Sequence, residues 1–182
     1  MPRWFNLPNL LTLVRLVLVP FVIQAILEGR HFLALLLFAI AAVTDAMDGA
    51  AARYFALTTQ AGAYLDPIAD KCLLSGVFLA MAVARIVPWW FVAVVFGRDL
   101  YILIGAAAIW LMSPIREFPP SVWGKTSTFV QILTAVTWMA RDVLELSALN
   151  LLSAVMLWLC MVFTLWSGIH YTWRGVQLAR AH

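Results

Sequence analysis

An all-α membrane protein with six transmembrane helices is the fold class this sequence predicts, and three observations carry the prediction. The chain of 182 residues is 64% hydrophobic, with a mean hydropathy of +0.94, where a soluble domain is roughly 45–50% apolar. Its apolar runs lie end to end, unlike a single N-terminal signal ahead of a soluble body. Six of these runs approach or exceed the ~20 residues that span a bilayer.

In order, the spans are expected at about Leu10–Leu27, Phe32–Ala52, Gly62–Ala84, Trp89–Met112, Val122–Met139 and Leu149–Tyr171. The first is long enough to be a retained helix rather than a cleaved signal. A short linker, Tyr54–Ala61, is expected to fold the second and third into an antiparallel hairpin. Pro67, Pro88, Pro114, Pro119 and Pro120 are read as bends or helix ends. With loops this brief, one domain over residues 1–182 is expected. Cys72 and Cys160 lie in apolar runs without a CxxC or Cys/His pairing and read as packing thiols. His31, in the loop between the first two spans, His170, near the end of the last, and the terminal His182 have no metal-ligand spacing and read as surface or packing residues. The nine Trp, Trp89 and Trp90 among them, read mostly as interfacial anchors.

Orientation follows from Lys and Arg in short loops rather than from the net charge of +3. With an even number of spans both termini share a side. That side collects Arg3, Arg53, Arg116, Lys125, Arg174 and Arg180, six against the three of Arg30, Arg85 and Arg141 opposite. Cytoplasmic termini are expected, with the chain in a cell membrane of bacterial inner-membrane type.

Of nine carboxylates, Asp45, Asp48, Asp66 and Asp70 fall within 26 residues of largely apolar sequence. An ionisable group in a membrane segment costs at least ~2.5–3.5 kcal/mol on insertion scales and is a functional hypothesis by default. On helices, residues three and four apart share a face, so Asp45 pairs with Asp48 and Asp66 with Asp70. A hairpin brings all four to one depth near the cytoplasmic face. At ~6–8 Å and an effective dielectric of about 20, each of the six pairs repels by ~2–3 kcal/mol. Positive charge must therefore sit among them. Arg53 and Lys71 supply part of it, and an all-oxygen ligand set suits a hard divalent cation such as Mg²⁺ or Mn²⁺, with two ions plausible for four carboxylates. Gly49, Ala52 and Gly62 remove bulk beside the acids, although small residues also serve plain helix packing.

The spacing Asp45-x2-Asp48-Gly49-x2-Ala52-Arg53-x8-Gly62-x3-Asp66-x3-Asp70 resembles the signature of the CDP-alcohol phosphatidyltransferases, with all eight specified positions filled. The likeness extends to Asn6, Pro8, Asn9, Thr12 and Arg15 at the first span and more loosely to the later helices. The resemblance implies a six-helix membrane fold, commonly dimeric, whose polar cavity opens to the cytoplasm. It implies that Asp45, Asp48 and Asp66 bind metal and that Asp70 is a ligand or the base activating the acceptor hydroxyl. Gly49, Ala52, Arg53 and Gly62, with Asn9 and Thr12, would contact the cytidine diphosphate portion of CDP-diacylglycerol. The partners implied are that donor, an alcohol acceptor, the lipid bilayer and a second copy of the chain, with no nucleic acid.

Arg98 and Asp99 interrupt the fourth span, and Lys125 opens the fifth. Arg98, Lys125 and Lys71 are read as candidate binders of an acceptor phosphate, beside the alternative of a structural Arg98–Asp99 pair and a snorkelling Lys125. Two branches of the resembled family fit. Phosphatidylglycerophosphate synthases use glycerol 3-phosphate and often carry a second Lys two places after the first, where this chain has Ser127. The Arg98-Asp99 pair looks more like CMP-forming cardiolipin synthases, whose acceptor is phosphatidylglycerol. Inositol or serine acceptors rank lower. Intramembrane acids also occur in cation transporters, but those tend to carry polar groups along a path to both faces, whereas here the acids gather at one depth.

Overall fold

The computed structural model describes the backbone of residues 7–55, 60–112 and 122–180, and the side chains of 13–44, 71–105, 122–175 and 177. Among the described residues the architecture is all-helical, with α1 Leu7–Leu27, α2 His31–Phe55, α3 Gln60–Val83, α4 Trp89–Met112, α5 Val122–Leu144 and α6 Ser147–Arg180.

The helices outrun the expected spans because apolar counting finds only the part of a helix that needs to be apolar. Backbone hydrogen bonding is satisfied within each helix, so α6 continues past Tyr171 through the polar Thr172, Arg174 and Gln177. For the same reason α2 reaches Phe55 and α3 begins at Gln60, each inside the linker expected at Tyr54–Ala61. His31 is the first residue of α2 rather than a loop residue, and His170 lies well inside α6. Pro88 immediately precedes α4 as expected, whereas Pro67 and also Pro20 are carried inside helices. Pro114, Pro119 and Pro120 lie outside the described residues.

Two of the turns close in the same way. After α1, Arg30 N–H donates to Ala25 O at 2.9 Å and Gly29 N–H to Ile26 O at 3.1 Å, with Gly29 at φ +70°. After α3, Ile86 N–H donates to Met81 O at 2.8 Å and Arg85 N–H to Ala82 O at 3.1 Å, with Arg85 at φ 59°. Both are Schellman closures, and the second places a side-chain-bearing residue where glycine is favoured.

α1 packs against both α2 and α3, α4 against α3 and α6, and α5 against α2, α3 and α6. Among the described residues α2 and α3 are thus joined through α1 and α5, and the side chains at the ends where their hairpin is expected lie outside them. Val22, Phe38, Val77, Phe78, Met81, Phe91 and Met139 belong to a shared core, in which the Phe78 and Phe91 rings meet edge-on at 5.4 Å. Gly76 lets α3 approach α1 closely, since a Cβ there would stand 2.8 Å from Ile23 Cδ1. Cys160 is packed in the interior, but Cys72 is exposed on α3, which corrects its reading as a packing thiol.

Much of the outer surface is apolar. Exposed large apolar side chains occur on every helix, among them Val17, Phe32, Val83, Leu103, Phe129 and Leu151, with Leu151 71% exposed. Among the described residues one stretch, Ser147–Gly175, is long and apolar enough to cross a membrane, and Leu13–Leu27, His31–Thr44 and Lys71–Val83 are shorter apolar helical stretches.

Candidate active site

Asp45 and Asp48 lie in α2, and Asp66 and Asp70 in α3, each pair within one uninterrupted helix. The three- and four-residue spacings therefore keep each pair on one helix face. As a donor set, four carboxylates fit a hard divalent cation. Their side chains lie outside the described residues, as do those of Asn9, Thr12, Gly49, Ala52, Arg53 and Gly62. Among the described residues no group of three or more His, Cys, Asp or Glu gathers that could hold a metal.

The residue after Asp70 begins the described part of the site. Lys71 Nζ on α3 stands 2.6 Å from Asp99 Oδ2 on α4. It is buried at the tip of a half-exposed side chain and meets the carboxylate as an ion pair without hydrogen-bond angles. The other oxygen of Asp99 accepts a hydrogen bond from Arg98 Nη1 at 2.8 Å. Arg98 Nη2 in turn donates to Ser167 Oγ on α6. The chain Lys71–Asp99–Arg98–Ser167 thus ties three helices together.

Burial makes this chain unusual. The Arg98 side chain is 9% exposed and Ser167 is fully buried. Arg98 Nε has no hydrogen-bond partner among the described residues, and an unmet buried donor costs ~1–3 kcal/mol, more when charged. One helical turn further along, Tyr101 Oη and Thr172 Oγ1 share a hydrogen bond at 2.7 Å, again between α4 and α6.

Of the three basic residues expected to bind an acceptor, Arg98 and Lys71 are therefore brought together, with Asp99 between them. Lys125 stands exposed on α5, next to an aromatic group in which Trp123 meets Trp166 at 5.9 Å and His170 at 6.5 Å. The structural Arg98–Asp99 pair does form, and it leaves Arg98 Nε without a partner among the described residues.

Ser167 escaped the sequence reading. Its signal, a Ser-Gly step in the middle of an apolar run, is shared by ordinary helix-packing positions. Arg15 was noted for its place in the N-terminal pattern, and the structure adds that it is completely buried. It lines a cavity of about 40 Å³ with Phe38, Ala42, Leu73, Leu74, Thr128 and Ile132, enough for about one water. On α5 the buried Ser127, Gln131 and Thr134 form a polar seam.

Sequence similarity to known proteins bears on these residues. A probable phosphatidylglycerophosphate synthase of Mycobacterium tuberculosis is 33% identical, the match covering 96% of this chain and 84% of the relative. The CDP-diacylglycerol–glycerol-3-phosphate 3-phosphatidyltransferases of Haemophilus influenzae, 31% identical over 92% of this chain and 91% of the relative, and of Escherichia coli K12, 33% identical over 92% and 93%, match as well. The sequence model of the CDP-alcohol phosphatidyltransferases matches residues 5–166, a range containing the signature aspartates together with Arg98 and Lys125. The chain is an enzyme and belongs to the CDP-alcohol phosphatidyltransferase family.

Proposed function

We propose that this protein transfers the phosphatidyl group of CDP-diacylglycerol to glycerol 3-phosphate, releasing CMP and forming phosphatidylglycerophosphate. The observation that carries the acceptor is the agreement of relatives from three organisms, matched over more than nine-tenths of this chain, whose names state that activity. It weighs more than the single Ser127 departure from the expected second Lys. The paired cations Lys71 and Arg98 support an acceptor that carries a phosphate.

In this reading Asp45, Asp48, Asp66 and Asp70 hold Mg²⁺ or Mn²⁺, in all two ions. Bound there, the metal supplies charge neutralisation for the pyrophosphate and for the departing CMP. Asn9, Thr12, Gly49, Ala52, Arg53 and Gly62 seat the cytidine diphosphate. Arg98 and Lys71 orient the acceptor phosphate and Lys125 draws it in. Asp70 takes the proton of the attacking hydroxyl. That oxygen bonds to the lipid-bearing phosphorus while the bond from this phosphorus to the CMP oxygen breaks.

The whole chain acts as one membrane domain, its six helices in the bilayer and its termini and site on the cytoplasmic side of the bacterial inner membrane, and it works as a homodimer. Apolar side chains exposed on every helix support the bilayer setting, because a water-soluble surface rarely carries contiguous apolar patches beyond a few hundred Å².

CMP release from CDP-diacylglycerol by the purified protein with Mg²⁺ or Mn²⁺, comparing glycerol 3-phosphate with phosphatidylglycerol, tests the reading. Release that depends on glycerol 3-phosphate is the expected result. Release only with phosphatidylglycerol would move the enzyme to the cardiolipin branch, and release with neither would overturn the activity.

A further inference from the structure

We infer that Asp99 and Ser167 are positioning residues, which together hold Arg98 so that its Nε edge stays open as the grip for the phosphate monoester of the acceptor. The inference rests on the glycerol 3-phosphate reading and deepens it.

A guanidinium presents its donors as a planar fork, and two neighbouring N–H groups on one edge match two oxygens of a phosphate. In Arg98 each outer nitrogen gives one of its two N–H groups, Nη1 to Asp99 and Nη2 to Ser167, while Nε is buried without a partner among the described residues, so three of the five N–H groups remain for a ligand. Contacts on two different nitrogens, from two helices, restrict the rotation of the plane. Asp99 follows Arg98 on α4, and Ser167 comes from α6, 69 residues further along the chain. Gly168, beside Ser167, lies against the Arg98 stem, where a Cβ would stand 3.8 Å from Arg98 Cγ, an ordinary van der Waals contact.

Charge points the same way. Lys71, Arg98 and Asp99 sum to a net +1, two cations against one carboxylate. Asp99 thus offsets enough charge for the cluster to be buried and leaves an excess for an anion. A purely structural ion pair would have its donors satisfied, because a buried unmet N–H is unfavourable. Lys71, the residue after Asp70 in sequence, ties the cluster to the helix that carries the proposed base.

Two measurements on the full-length protein in detergent test this. The first is the KM for glycerol 3-phosphate in CMP release at saturating CDP-diacylglycerol. Ser167→Ala is expected to raise it about tenfold, the effect of one lost orienting hydrogen bond to a charged group. The KM for CDP-diacylglycerol and kcat should change less than about twofold. Ser167→Thr, which keeps the hydroxyl, should restore the KM. Arg98→Lys, which keeps the charge and loses the fork, should raise it more than Ser167→Ala does.

The second measurement is the rise in unfolding temperature on adding glycerol 3-phosphate or inorganic phosphate without the lipid donor. It is expected in the wild type and diminished in Ser167→Ala, with the ligand-free unfolding temperature reporting whether each variant folds. An unchanged acceptor KM in Ser167→Ala alongside normal wild-type turnover would overturn the positioning role and leave the proposed activity standing. Phosphate-dependent stabilisation that Ser167→Ala weakens, in a wild type that does not use glycerol 3-phosphate, would uphold the grip and remove the acceptor. Equal stabilisation in wild type, Ser167→Ala and Arg98→Lys would overturn the grip itself.

Discussion

Asp99 and Asp142 each stand beside an arginine that precedes them on the same helix, yet the two clusters differ in what they leave undone. At the end of α5, Arg141 gives both Nε and Nη2 to Asp142 Oδ1, at 2.9 and 2.8 Å, while its guanidinium lies 4.3 Å from the centre of the Trp138 ring. His31 adds a contact at 3.9 Å, and nearby Glu28 pairs with Arg30 at 3.0 Å and with Gln24 at 2.8 Å. Every group there has a partner, and several are well exposed. In the Asp99 cluster the guanidinium is more deeply buried and its Nε has no hydrogen-bond partner among the described residues. A satisfied, partly solvated cluster fastens helix ends together. A buried cluster with a spare donor can take a further partner, and three sets of substitutions sharpen or break this contrast.

The largest effect is expected at Asp70, the neighbour of Lys71. Asp70→Asn should lower turnover by about a thousandfold or more, equivalent to ~4 kcal/mol of barrier, while the unfolding temperature stays within a few degrees. CMP-release kinetics and thermal unfolding on one preparation read both. Near-normal turnover would remove Asp70 from the role of base and would detach the Asp99 cluster from the chemistry it adjoins.

Next in size is the direct comparison. Asp99→Asn leaves Arg98 and Lys71 without their counter-charge, and breaking a buried pair by removing one partner costs ~3–5 kcal/mol. Because Lys71 is half-exposed, the lower end of that range is expected. Asp142→Asn acts on a cluster with more solvent around its cations and should cost less than about 1 kcal/mol. Denaturation in mixed micelles measures both, and equal losses would mean that burial does not separate the two clusters.

Much of this contrast was absent from the sequence. Helix number and approximate positions were legible, because a bilayer demands long apolar runs and short runs of charge or proline divide them. The four aspartates stood out for the same reason, as charges with no cheap place in apolar sequence. Helix ends were misjudged, α6 by nine residues, since hydropathy records where a helix must be greasy and not where its hydrogen bonds stop. Ser167 was invisible because its role depends on α6 lying against α4. Which carboxylate answers Lys71 was hidden too: the expectation put Lys71 among the signature aspartates, whereas the structure pairs it with Asp99 across to α4. Motif spacing reports what one helix can present. It says nothing about the partner that a neighbouring helix brings.

The smallest effect concerns the turns at the Asp142 end, where glycine fills one left-handed position and Arg85 and Glu145 fill two others. Gly29 and Arg85 occupy the same position in equivalent closures, at φ +70° and 59°. A left-handed conformation is strained by roughly 1–2 kcal/mol for a residue with a Cβ and not for glycine. Glycine also raises the entropy of the unfolded chain by ~0.4–1 kcal/mol, which offsets part of the gain. Arg85→Gly should therefore stabilise the protein by about 0.5–1 kcal/mol with unchanged turnover, and Gly29→Ala should destabilise it by a similar amount. Arg85 is exposed and belongs to the minority of loop cations opposite the termini. Its removal would shift the loop bias from six-to-three to six-to-two and leave the proposed orientation intact. A loss of stability in Arg85→Gly would mean that the arginine makes up for its strained backbone through its side chain, and that this end of the bundle also holds a charged group with more than a fastening role.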